Sequence, residues 1–148
     1  MQESVFRLVY TSRASPQCDS QALARILATA RDRNPAANIS GQLLFEEGVF
    51  AQWLEGPRSN IEQLWAALQR DPRHRGIQLV SATQIDKRVF AQWSMAITSA
   101  QHASVSHVQG FVNERVAELP AILNFPDQIL GLFDLLAELE SLNRNWPR

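Results

Sequence analysis

Two proline steps, Asn34-Pro35 and Asp71-Pro72, constrain the layout of the first two-thirds of the chain. Each closes a run with helical spacing, because the residue before a proline is pushed out of the α region. The first run begins at Asp19 or Ser20, either of which can cap a helix, and places Leu23, Ile26, Leu27 and Ala30 on one side. The second begins after Pro57 with Ser59 and Glu62, the spacing of a capping box, and carries Ile61, Leu64, Trp65 and Leu68. Strand formers occupy Val5–Thr11 before the first helix, and Ile39–Phe45 and Val49–Glu55 between the two. The latter pair flank Glu46-Glu47-Gly48, a connection short enough for a tight hairpin. After the second helix, Ile77–Ala82 and Phe90–Thr98 read as strands separated by a polar turn at Gln84–Arg88. The order is β-α-β-β-α-β-β. It predicts an α+β, ferredoxin-like βαββαββ fold, a five-stranded sheet with both helices on one face.

The other face then needs a cover. Past a polar linker, Gln101–Gln109, the tail reads as a helix over Phe111–Leu119, punctuation at Pro120 and Pro126, and a last helix over Asp127–Leu142. That helix is apolar over a wide arc, from Ile129 and Leu130 through Phe133 to Leu142, more than one buried face uses. It is expected to pack on the sheet, and the surplus points either to deep burial or to a contact with another subunit or partner. The resulting division is a domain at 1–100 and a linker with helices at 101–148, serving output or oligomerisation.

Composition narrows the function classes. The 148 residues fit one domain able to bury a core without a staple. Lys plus Arg number 14 against 15 Asp plus Glu, so the broad positive field that drives non-specific nucleic-acid binding is missing. Cys18 is the sole cysteine, which excludes an internal disulfide and argues against a thiolate zinc site. His102 and His107 have poor metal spacing, and Cys18 has no histidine nearby in sequence. No apolar run reaches membrane-spanning length and the start has no signal-peptide pattern, so the expectation is a cytoplasmic protein with neither membrane nor nucleic-acid partner. Neither a phosphate-binding loop nor a serine-nucleophile motif is present.

What remains is polarity where a core is expected. On β-strand alternation Tyr10 shares a face with Phe6 and Leu8, and Gln52 with Phe50 and Leu54. A buried glutamine without a partner costs about 1–3 kcal/mol. Gln52 can simply bond Tyr10 across neighbouring strands, or the two can face a polar ligand held between the helices. The helix ends favour the ligand. Asn34 closes the first helix, Asp71, Arg73 and His74 follow the second, and Ile26 and Leu68 lie on the inner faces. A flat heterocycle with carbonyls and ring nitrogens would suit all of them.

These residues occur in runs that resemble one family. Leu8-Val9-Tyr10-Thr11-Ser12-Arg13-Ala14-Ser15, Asn34, Ile39-Ser40-Gly41, Phe50-Ala51-Gln52-Trp53-Leu54-Glu55-Gly56-Pro57, Asp71-Pro72-Arg73-His74 and Phe90-Ala91-Gln92-Trp93-Ser94-Met95 resemble, in order, the blocks of BLUF domains, blue-light sensors that use FAD. The resemblance covers about residues 4–98. It implies that Tyr10 is the tyrosine that donates an electron and a proton to the excited flavin, and that Gln52 lies between that phenol and flavin N5 and the C4 carbonyl. It also implies that Asn34 bonds the pyrimidine edge and that Arg73 and His74 lie near the C2 carbonyl and ribityl side, with Asp71 orienting the histidine. Ile26 and Leu68 then sandwich the ring with Phe50 beside it, and Trp93 and Met95 form the switchable pair on the last strand. Trp93 is the expected competing electron donor. The implied cofactor is FAD, with FMN or riboflavin as alternatives. Ala30, Arg33, Gln42 and Trp53 depart from the usual pattern.

The function so implied is a non-enzymatic photoreceptor. Light rearranges the Tyr10–Gln52–flavin hydrogen bonds, and the signal passes through the last strand and tail to a downstream protein in trans or within a homo-oligomer. Three alternatives stand beside it: an acylphosphatase-type enzyme, for which Arg13 is the only support, an RNA-binding sheet, whose basic residues are lacking in Val49–Glu55, and a light-insensitive flavin-binding module.

Overall fold

A computed structural model describes residues 4–91, 96–98 and 115–144. The elements are β1 (Val5–Ala14), α1 (Ser20–Ala36), β2 (Ser40–Glu46), β3 (Val49–Gly56), α2 (Arg58–Gln69), β4 (His74–Ile85), β5 (Ala96–Thr98), α3 (Leu119–Ile122) and α4 (Pro126–Arg144). The protein is α+β, as expected. Its strands lie in the order β4-β1-β3-β2-β5. β1 is antiparallel to both β3 and β4, β2 is antiparallel to β3, and the short β5 runs parallel to β2.

Alternation along the central strands divides the core in two. Leu8, Tyr10, Leu43, Phe50 and Leu54 pack with Ala30, Ile61 and Leu64 of the first two helices. Val9, Leu44, Ala51 and Trp53 pack instead with Leu119, Leu123, Ile129, Leu132, Phe133 and Leu136. The tail therefore covers the second face. On α4 the buried set Ile129, Leu132, Phe133 and Leu136 makes one stripe, and Leu130 is partly buried against the same cluster. Much of the wide apolar arc is thus spent on the sheet.

The hairpin between β2 and β3 turns on two residues, Glu47 at φ 48° and Gly48 at φ 78°, the paired positive angles of a type I′ turn. Gly41 is required by close approach, since a Cβ there would strike the Trp53 carbonyl oxygen. β4 is an edge strand whose pairing with β1 slips twice, between Val9 and Tyr10 and between Thr11 and Arg13. Such bulges twist an edge away from further pairing.

Several boundaries differ from expectation for identifiable reasons. α1 does not stop at Asn34-Pro35 but ends at Ala36, closed by the amides of Asn38 and Ile39 on the carbonyls of Pro35 and Asn34, with Asn38 left-handed at φ 57°. That is a Schellman closure, and it tolerates a proline in the last turn. The capping box on α2 does not form. Pro57 takes the N-cap position and Glu62 pairs with Arg58 at 2.7 Å. β1 extends to Ala14, and β4 begins at His74 rather than Ile77. Of the expected strand over Phe90–Thr98, Ala96–Thr98 form β5, whereas the backbone turns at Val89 and Phe90, whose N–H groups bond the Glu55 carboxylate; residues 92–95 lie outside the described residues. Pro120 opens α3 instead of ending a helix, at a position where its missing N–H costs nothing. Trp93, Met95 and the 101–109 linker lie outside the described residues.

Candidate functional site

Antiparallel register sets Tyr10 of β1 directly opposite Gln52 of β3. Both side chains are buried, and the phenol donates to Gln52 Oε1 at 2.6 Å. Burial, and secondarily the negative charge of Asp71, raise the phenol well above its usual range. Tyr10 is therefore held as a neutral donor. Its ring packs against Trp65, with centroids 5.5 Å apart, and edge-on to His74 at 6.0 Å.

Above this pair the two helices stand apart and leave a cleft. Tyr10, Ile26, Asn34, Phe50, Gln52, Leu68, Asp71, Arg73 and His74, the residues expected to hold a cofactor, all line it. Asn34 sits in the last turn of α1, 1% exposed, and its Oδ1 has no hydrogen-bond partner among the described residues. An acceptor stranded this way costs about 1–3 kcal/mol unless something donates to it. An N–H on the edge of a bound heterocycle meets that need.

The polar end of the cleft is built by the link between α2 and β4. Asp71 grips the Arg73 guanidinium with both oxygens, at 2.9 Å and 3.1 Å from Nε and 2.7 Å from Nη2, and accepts from the Arg73 backbone N–H at 3.0 Å. The pairing holds the Asp71 carboxyl below its usual range and raises the arginine. The implied role for Asp71 as the group that orients His74 is not what the geometry gives. His74 Nε2 meets the Leu68 carbonyl at 2.6 Å, where it must donate, and Nδ1 meets Ser12 Oγ at 2.7 Å. Ser12 and the end of α2 orient the imidazole, while Asp71 orients Arg73.

Sequence reasoning missed Ser12, which shares the Tyr10 face of β1 by simple alternation, and the lining residues Thr29, Leu43, Leu64 and Ala67. Ala30 and Arg33, noted as departures, also line the cleft. Trp93 lies outside the described residues, and Trp65, which the sequence places on the apolar side of the second helix, is an indole in contact with Tyr10. Cys18 is partly buried, and burial pushes its thiol up despite nearby Arg73, the opposite of an activated nucleophile. Among the described residues no helix is long and apolar enough to cross a membrane.

Comparison with known proteins places this geometry in context. The family model BLUF, described as sensors of blue-light using FAD, matches residues 5–96. The chain is 37% identical over 93 residues to a photoactivated adenylate cyclase subunit alpha from Euglena gracilis, an alignment covering 63% of this chain and 9% of that protein. It thus spans about a tenth of the length of such relatives. Among solved structures, the dark state of the BLUF protein BlrB superposes with a TM-score of 0.78 at 27% identity, covering 93% of this chain and 98% of that one. The photo-activated state of BlsA gives 0.70 at 28%, covering 90% and 94%.

Proposed function

The chain belongs to the BLUF family, and we propose from that premise that Tyr10 and Gln52 are its photoactive pair and the cleft between α1 and α2 its flavin site. A member of this family is a blue-light sensor that uses FAD, a sensor module rather than an enzyme. Bound in the cleft, a flavin supplies blue-light absorption and an excited state that accepts an electron and a proton.

The observation that carries the reading is the buried 2.6 Å bond from Tyr10 to Gln52 beside the unsatisfied Asn34 Oδ1. Gln52 is an amide, with a donor and an acceptor on one planar group. Tyr10, held neutral, can give its proton only along the bond it already makes. When that bond is remade, rotation or tautomerisation of Gln52 exchanges which atom faces the cleft. Asn34 fixes the ring edge, Ile26 and Leu68 grip its two sides with Phe50 beside it, and Arg73 and His74 hold the polar end. Trp93 and Met95, which precede β5 in sequence, complete the set as the switchable pair.

The finer architecture belongs to the same proposal. The sheet is ferredoxin-like, an assignment supported by the strand order β4-β1-β3-β2. Residues 1–100 form the sensor, and 101–148 pass the signal to a cytoplasmic partner in trans or to a second copy, without nucleic acid or membrane. The test is an absorption spectrum of the purified full chain before and after blue light, with the released flavin identified as FAD, FMN or riboflavin. A yellow protein whose flavin band moves to the red and returns in the dark is expected. A colourless protein, or a bound flavin whose band does not move, would refute the proposal.

A further inference from the structure

Glu55 is a carboxylate with no solvent exposure, set three residues after Gln52 on the same strand. Its side chain points to the opposite face of the sheet from Gln52, and all its hydrogen-bond partners named here are donors. Oε1 accepts from the Trp53 indole at 2.9 Å, from Val89 N at 3.0 Å and from Phe90 N at 2.9 Å, while Oε2 accepts from Val89 N at 2.6 Å. Arg88 ties the same turn down again, through Ser40 Oγ at 2.8 Å, the Glu55 carbonyl at 3.2 Å and the Asn38 carbonyl at 2.7 Å. One carboxylate thus clamps an indole of β3 and the turn that leaves β4.

That indole is the hub of the back face. Its ring lies edge-on to Phe90 at 5.5 Å and tilted to Phe133 of α4 at 5.7 Å, Phe90 and Phe133 meet at 6.3 Å, and the Arg7 guanidinium lies 4.9 Å from the Trp53 centroid. Trp53 directly follows Gln52, so the two side chains leave one stretch of backbone in opposite directions. Close-packed aromatic clusters of this kind move as units rather than deforming gradually.

We propose that Trp53, positioned by Glu55, carries the state of Gln52 through the sheet to Phe133 and hence to α4, without passing along β5. This rests on the reading of Gln52 as the light-driven element. A bond remade at Gln52 turns the β3 backbone there, and the clamp converts that turn into a displacement of the indole against Phe90 and Phe133. Glu55 is a positioning residue, acting through Trp53. Glu55→Gln keeps one acceptor oxygen but sets an amide N–H against Val89 N–H. Trp53→Phe keeps a ring and removes the indole donor.

The experiment compares the full FAD-loaded chain with Glu55→Gln, Trp53→Phe and Phe133→Leu. Each is followed by its light-induced absorption shift and by amide hydrogen exchange over residues 129–137 in darkness and under continuous blue light. In the parent, light is expected to change exchange in that segment. In the variants the absorption shift is expected to persist, while the light-minus-dark exchange difference falls at least about fivefold, the low end of ordinary coupling between sites. Should one variant fail to hold flavin, the other two decide. Variants that keep both the shift and the full exchange difference would overturn the inference and leave β5 as the route. A parent that shifts without any change at 129–137 would overturn it as well. A parent with no absorption shift would sink the photochemical reading first, and this inference with it.

Discussion

The two faces of the sheet are made by the same strands and are built on opposite plans. Toward α1 and α2, β1 and β3 present Tyr10, Phe50 and Gln52 to an open cleft, and Asn34 there keeps a buried acceptor without a donor. Toward α4, the same β3 presents Trp53 and Glu55, which meet three aromatic or charged groups and three N–H donors. The contrast is local, since Arg7 Nε and Thr11 Oγ1 on the α4 side are also buried without a hydrogen-bond partner among the described residues; it is the Glu55–Trp53 clamp, not the whole face, that is fully satisfied. A binding site must leave something for its ligand to complete, whereas a clamp that transmits displacement must have no slack.

The largest expected effect that would break this contrast is at Tyr10. Tyr10→Phe keeps the ring packed against Trp65 and deletes the donor to Gln52. It should bind flavin and lose the normal photocycle, as read by light-minus-dark absorption. A variant that cycles normally would show that the electron comes from elsewhere, with Trp65 the first suspect. On the back face, Glu55→Ala strands the N–H groups of Val89, Phe90 and Trp53 and should cost about 3 kcal/mol. Thermal unfolding should then drop by roughly 6–12 °C, and a drop near zero would mean that water or a shifted turn replaces the carboxylate.

Smaller effects sharpen the cleft face. Asn34→Ala removes the stranded acceptor, so the apo-protein should lose no stability while flavin affinity falls about tenfold. Titration with FAD measures this, and unchanged affinity would detach Asn34 from the ligand. Replacing both Arg73 and His74 by Ala should weaken flavin retention on gel filtration by less than that, with the fold intact. Equal retention would reduce the pair to closing the end of α2, a role worth about 0.3–1 kcal/mol. The smallest effect is in pH. Pairing with Arg73 lowers the folded-state pKa of Asp71, so its stabilisation is complete above the ordinary aspartate value of 3.8 and is lost as pH falls through the lowered folded value. Asp71→Asn should flatten that acid limb of the Tm profile slightly, and an unaltered limb would show that the ion pair adds nothing to folding.

Much of the cleft face was legible because it depends on short-range patterns. Alternation gave Tyr10 and Gln52 a common face, and helix ends gave Asn34, Asp71, Arg73 and His74 a common neighbourhood. Ser12 obeys the same alternation but lies beyond the run of strand formers, since β1 runs three residues further than they suggest. The capping box misled because Arg58 competes for Glu62. The back face was legible as burial but not as chemistry. Glu55 finds its donors 34 and 35 residues away on backbone N–H groups, which leave no side-chain trace in sequence. The same contact explains why the chain turns at Phe90 where a strand is expected to begin, local propensity for extension losing to a turn clamped by a buried carboxylate.

The most direct test of the central claim is the light-minus-dark absorption spectrum of Gln52→Leu beside the parent, both loaded with FAD. Leucine keeps the packing between Phe50 and Leu54 and removes the one group that can exchange donor for acceptor opposite Tyr10. The parent should show a reversible red shift of the flavin band, and the variant should hold flavin with no shift. A parent-sized shift in Gln52→Leu would contradict the assignment of Gln52 as the switching residue.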